Sequence, residues 1–150
     1  PLPDRLVAVD YAIAHSFIVT DFIDGVNLQQ FLKRNKRSLR NEANARTLWK
    51  QILEQVMLLY NSNVYHRDLK LSNFMITPRD RIHIIDFGFS VFRNNDLQVK
   101  DFCGSTYYMS PELTAKSPYR VEPCEVWALG VMLLKLLTDT YPFNRYLRRH

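Results

Sequence analysis

The chain has 150 residues, 47% of them hydrophobic, with a formal charge of +5, which is material for one soluble globular domain with a buried core. No run approaches the roughly 18 apolar residues of a membrane span, and Cys103 and Cys124 form neither a Cys-x-x-Cys pair nor a zinc-ligand spacing with histidine. The basic residues Lys33, Arg34, Lys36, Arg37 and Arg40 lack interleaved aromatics, and the terminal Arg145, Arg148 and Arg149 have the single Tyr146 among them. They read as a solvated helix end and a polar tail, not a nucleic-acid or membrane patch.

Leu6 to Ile13 and Phe17 to Phe22 are apolar stretches of strand character, with a turn expected at His15 and Ser16. Asp24 and Gly25 break the pattern. Asn27 to Lys33 then reads as a short helix capped by Asn27 or Asp24. A stronger helix is predicted over Glu42 to Tyr60, where Leu48, Ile52, Val56 and Leu59 recur at helical spacing. Short strands follow at Phe74 to Thr77 and Arg81 to Ile85, joined by Pro78, Arg79 and Asp80. From Val126 to Leu137 almost every residue is apolar, which predicts a helix buried on all faces, with Pro123 in its first turn.

The chemistry concentrates in three segments. His66, Arg67, Asp68, Leu69, Lys70, Leu71, Ser72 and Asn73 run without interruption, and Asp86, Phe87 and Gly88 follow across the predicted hairpin. Asp68 offers a carboxylate that can take a proton from a hydroxyl, and Lys70 an ammonium that can neutralise phosphate oxygens. Asn73 and Asp86 offer hard oxygens suited to Mg²⁺, brought side by side by strand pairing. Ser110, Pro111 and Glu112 complete the set.

These segments resemble the catalytic loop, Mg²⁺ triplet and Ala-Pro-Glu element of the protein kinases, and Lys70 resembles their serine/threonine branch. Asp86 to Ser90 and Cys103 to Ser105 look most similar to the calmodulin-dependent and energy-sensing kinase group. The resemblance implies an α+β, kinase-like fold. Residues 1–23 would be the end of the small lobe and hinge, and residues 24–150 the large lobe up to its central helix. It implies ATP and Mg²⁺ as cofactors and a protein Ser/Thr hydroxyl as acceptor; the charge pattern leads us to expect no nucleic-acid or membrane partner, and the two unpaired cysteines a cytoplasmic or nuclear setting that keeps both thiols reduced.

By the same resemblance Asp68 is the catalytic base, Lys70 steadies the transferred group, and Ser105 bridges the two, while Asn73 and Asp86 hold the metal. Thr20 falls at the gatekeeper position, Asp21, Phe22 and Ile23 at the hinge, and Met75 at the apolar floor beneath adenine, with Val19 beside it. Asn27 stands where relatives carry an acidic ribose contact. Thr106, Tyr107 and Tyr108 would border the pocket for the substrate residue after the acceptor. Asp101 sits where relatives place a phosphorylated threonine. It is either a permanent charge for a bidentate Arg67 or a solvated loop residue. Glu112 would pair with an arginine that lies outside these residues. Glu125 replaces the usual aspartate beneath the catalytic loop, and its extra methylene must be absorbed.

The four glycines, Gly25, Gly88, Gly104 and Gly130, leave no room for a G-x-G-x-x-G loop, and no Val-Ala-Ile-Lys element is present. A fragment of a larger kinase is the simplest expectation, inactive by itself. The alternative is a kinase-like binding module without catalysis.

Overall fold

The computed structural model describes residues 6–12, 15–35, 42–92, 98–115 and 118–143. Strands β1 (Leu6–Ala12) and β2 (His15–Thr20) form an antiparallel pair that runs to the match of Ala12 with His15. His15 and Ser16 therefore belong to β2 rather than to a turn. Backbone pairing, not side-chain polarity, sets where the strand starts. Asp21 and Phe22 lie beyond its end, without strand pairing.

Strand β3 (Val26–Asn27) leads directly into α1 (Leu28–Arg34). Asn27 is the cap: its side-chain oxygen accepts from the Gln30 amide at 2.9 Å, which satisfies one of the donors a helix start leaves free. Gly25 is required just before this point, because a Cβ there would lie 2.5 Å from the Ile76 carbonyl oxygen. That close approach seats β3 against β5 (Phe74–Ile76), which pairs in turn with β6 (Ile82–Ile84).

Helix α2 (Glu42–Asn61) buries Ala45, Leu48, Ile52, Val56 and Leu59 on one face, as its periodicity predicts. Its polar face ties down the hairpin. Gln51 donates to the Asp80 carbonyl at 2.9 Å and accepts from the Ile82 amide at 3.1 Å. The buried face meets Phe74, Ile82 and Ile84 from the hairpin and Ala128, Val131, Met132 and Leu136 from helix α4 (Val121–Thr138) in one apolar core. Each fully buried residue of this kind contributes roughly 1.5–3 kcal/mol.

Helix α4 departs from expectation twice. It starts at Val121, with Arg120 extended at its cap, so Pro123 still falls in the first turn. It is also not buried all round, since Val126, Leu134 and Leu137 are exposed along one stripe. Among the described residues no layer covers that side, so an apolar composition on every face does not become burial on every face.

Short strands β4 (Val64–Tyr65) with β7 (Val91–Phe92), and β8 (Gln98–Val99) with β9 (Tyr119–Arg120), bracket the segments that carry the chemistry. Helix α3 (Pro111–Thr114) is capped by Ser110, whose hydroxyl accepts from the Leu113 amide. Tyr65, Val99, Leu113, Tyr119, Val121 and Cys124 form a second buried cluster beneath them.

Candidate active site

Residues 66–73 connect β4 to β5, and their path is held from below by α4. One oxygen of Glu125, Oε1, accepts from the His66 amide at 2.6 Å and from the Arg67 amide at 2.8 Å. The extra methylene is thus absorbed, and the glutamate does reach the loop. Its carboxylate is 3% exposed, and burial raises its pKa against the lowering effect of those amides and of the Tyr60 hydroxyl beside it. Burial and the same carboxylate push the Tyr60 phenol upward.

His66 is fully buried and joins two motifs. Its Nε2 lies 3.1 Å from the Ile85 carbonyl and its Nδ1 accepts from the Asp68 amide at 3.2 Å, an arrangement that places the proton on Nε2. Burial lowers its pKa, so the ring stays neutral. Its ring centroid is 5.4 Å from that of Phe87, which sets the Asp86-Phe87-Gly88 segment against the loop.

Four predicted residues, Asp68, Lys70, Asn73 and Ser105, converge in one cluster. The Lys70 ammonium is 2.6 Å from Asp68 Oδ2 and donates to Ser105 Oγ at 2.9 Å. Asn73 Nδ2 donates to the Asp68 carbonyl at 3.0 Å and to Oδ2 at 3.2 Å. Asp68 is 6% exposed, and its other oxygen, Oδ1, is buried with no hydrogen-bond partner. An uncompensated carboxylate oxygen in such a place is costly unless something else donates to it.

Asn73 and Asp86 are drawn together by the Ile85 amide, which donates to the Asn73 carbonyl at 2.8 Å. With Asn73 Nδ2 turned toward Asp68, its Oδ1 remains as a hard donor. Asp86 takes a left-handed backbone, φ 67°, and stays exposed while Oδ1 accepts from the Gly88 amide at 3.3 Å. This donor set fits Mg²⁺ shared with phosphate oxygens. Among the described residues no three His, Cys, Asp or Glu gather as an all-protein cage, and Mg²⁺ needs only one or two side chains.

The other predicted positions are more dispersed. Thr20 and Asp21 are exposed at the end of β2, and Ile23 is half-buried on the connection to β3. Asn27 and Met75 are paired across β3 and β5, and Met75 pairs with His83 across β5 and β6. Glu112 is exposed and receives the Cys124 thiol at 3.6 Å. Burial pushes that thiol up to about 11.

Arg67 does not form the bidentate pair with Asp101. One guanidinium nitrogen lies 3.6 Å from Asp101 Oδ2, whose side chain is 78% exposed, and the same nitrogen donates to Cys103 Sγ at 2.7 Å. The loop explains the choice. Gly104, at φ 106°, brings Cys103 over Arg67, and a Cβ on Gly104 would lie 3.1 Å from the Arg67 carbonyl. The Asp101 carbonyl is itself held, accepting from the Tyr119 hydroxyl at 2.8 Å. Sequence reasoning missed the roles of Cys103 and Tyr119, and no local pattern marks either.

A family model described as the protein kinase domain matches residues 5–149. Among curated proteins, a probable serine/threonine-protein kinase KIN1 homolog of Enterocytozoon bieneusi is 35% identical over 140 residues, covering 93% of this chain and 23% of the relative. The mitosis inducer protein kinase cdr1 of Schizosaccharomyces pombe is 33% identical over 131 residues, covering 87% and 22%. Human NUAK family SNF1-like kinase 1 is 34% identical over 129 residues, covering 86% and 19%. The chain thus spans less than a quarter of the length of these relatives.

Proposed function

Because the chain belongs to the protein kinase domain family, we propose that it is part of a serine/threonine kinase that moves the γ-phosphate of ATP to a protein hydroxyl. The observation that carries this reading is the Asp68, Lys70, Ser105 and Asn73 cluster, with one buried Asp68 oxygen left open.

Asp68 orients the acceptor hydroxyl through Oδ1 and takes its proton. Lys70, already fixed by Asp68 and Ser105, holds positive charge where the transferred group gains negative charge. Phosphoryl transfer asks little covalent chemistry of a protein, so such positioning and charge placement are most of its work. Asn73 and Asp86 hold Mg²⁺, which when bound neutralises the phosphate oxygens of ATP. Met75 lies under adenine, Thr20, Asp21 and Ile23 along its edge, and Asn27 near the ribose, although its side-chain oxygen is committed to the helix cap.

The acceptor is a protein Ser or Thr, with no nucleic-acid or membrane partner, and both thiols are free, in keeping with a cytoplasmic or nuclear setting. No helix among the described residues is long and apolar enough to cross a membrane. We place the chain nearest the calmodulin-dependent and energy-sensing group on its Cys103-Gly104-Ser105 segment.

The decisive experiment is Asp68→Asn in the complete protein, followed by transfer of labelled phosphate to Ser/Thr peptides. Turnover falls by about 10²–10⁴, the usual contribution of a positioned base. Near-normal turnover refutes the assignment of Asp68. The second reading is a kinase-like binding module without catalysis. A complete protein that binds peptides but transfers no phosphate establishes that one.

A further inference from the structure

Helix α4 ends at Thr138 and the chain reverses through Asp139, whose left-handed backbone has φ 57°. Lys135 locks this reversal. Its ammonium donates to the Asp139 carbonyl at 2.7 Å and to the Asp139 carboxylate at 2.8 Å, while the Asp139 amide returns to the Lys135 carbonyl at 2.9 Å. The reversal delivers Tyr141 beneath the same ammonium, 4.7 Å from its ring centroid, within the range of a cation over an aromatic face.

Tyr141 then meets two rings of a different segment. It stacks on Tyr107 with centroids 4.7 Å apart and planes 21° from parallel. It stands edge-on to Tyr108 at 5.6 Å and 87°, with the two hydroxyls 3.2 Å apart. Both partners belong to the single 3-10 turn of residues 106–108, which begins at Ser105 and is closed by the Tyr108 amide donating to the Ser105 carbonyl at 2.8 Å. Ser105 is the residue whose hydroxyl receives Lys70. A continuous line of contacts therefore runs from the end of α4 to the catalytic carboxylate.

We infer that Tyr141 is a positioning residue: clamped by Lys135, it orients Tyr107 and the 106–108 turn for the peptide that carries the acceptor hydroxyl. Tyr108 is buried, but Tyr107 is 45% exposed. A polypeptide that brings a hydroxyl to Asp68 passes over Ser105 and meets the free face of Tyr107 two residues along. The ring behind Tyr107 decides how that face is presented. Nothing about the ATP side depends on it.

The inference rests on the kinase reading, and its test separates the two. In the complete protein, Tyr141→Leu keeps apolar bulk but removes the stacked ring, and Tyr141→Phe keeps the ring. With active-site concentration titrated, Tyr141→Leu raises KM for a Ser/Thr peptide by roughly three- to tenfold, the range an aromatic pair supports. KM for ATP stays at its original value, and Tyr141→Phe restores the peptide KM. A purely structural role lowers the titrated active fraction and leaves kcat per active site and both KM values alone, which overturns the inference. Equal behaviour of the Phe and Leu variants overturns it as well.

Hydrogen exchange supplies a readout that needs no turnover. Exchange of the Tyr108 amide quickens in Tyr141→Leu and not in Tyr141→Phe, while that of Ile52 in the core is unchanged. If the wild-type protein transfers no phosphate, the kinase reading fails, and this exchange pattern alone decides the positioning claim. An unaltered Tyr108 amide refutes it.

Discussion

Replacing Glu125 by alanine removes the one acceptor that holds the His66 and Arg67 amides, at 2.6 and 2.8 Å. Two orphaned buried donors cost about 2–6 kcal/mol together, and deleting a carboxylate that burial already disfavours offsets part of this, leaving a loss of about 3 kcal/mol. Glu125→Gln retains an acceptor oxygen on a neutral side chain that burial tolerates better than a carboxylate, so it costs less than the alanine change, under about 1 kcal/mol. Urea unfolding followed by Trp49 and Trp127 fluorescence measures both.

The pH dependence gives an independent check. Glu125 has a folded pKa raised above 4.5, so the folded state holds its proton more tightly. Its contribution is fully present below the unfolded value and is lost as pH rises through the folded one. His66, lowered from 6.5, works oppositely: its contribution is present above 6.5 and is lost as pH falls toward its folded pKa. Subtracting Glu125→Gln from wild type cancels the histidine. The remaining stability difference shrinks as pH rises from 4.5. An alanine variant within about 0.5 kcal/mol of wild type, the range of a neutral surface change, would sink the argument. So would a difference that grows with pH.

Asp101→Ala is expected to change turnover of the complete protein by less than about fivefold, because a single exposed contact at 3.6 Å is worth about 0–1 kcal/mol. A hundredfold loss in a peptide assay would show instead that this carboxylate orders the segment. Gly25→Ala forces a Cβ to 2.5 Å from the Ile76 carbonyl oxygen, and the resulting overpacking costs about 1–3 kcal/mol. Thermal unfolding detects this as a lowered Tm. An unchanged Tm means β3 and β5 do not approach so closely.

Much of the fold is legible along the chain because it is encoded at short range. The spacing of Leu48, Ile52, Val56 and Leu59 defines the buried face of α2, since a helix repeats every 3.6 residues. The hairpin of β5 and β6 follows from two apolar stretches around Pro78, Arg79 and Asp80, and it places Asn73 beside Asp86 by pairing alone. The strand limits near His15 and Phe22 are not legible along the chain, because ladder hydrogen bonds, not side-chain polarity, end a strand.

The residue types and order of the His66 to Asn73 run, Asp86 to Gly88 and Ser110 to Glu112 are sufficient by themselves to announce the chemistry, because each side chain brings its acid, base or donor character wherever it lies. Docking decided the rest. Whether a glutamate at 125 could reach amides 58 and 59 positions earlier depends on where α4 lies against the loop. Whether Arg67 takes Cys103 or Asp101 depends on the bend at Gly104, and whether Tyr141 backs Tyr107 depends on the reversal at Asp139. Such contacts join segments far apart in the chain, and their distances are set by the packing of whole elements, for which no local periodicity exists.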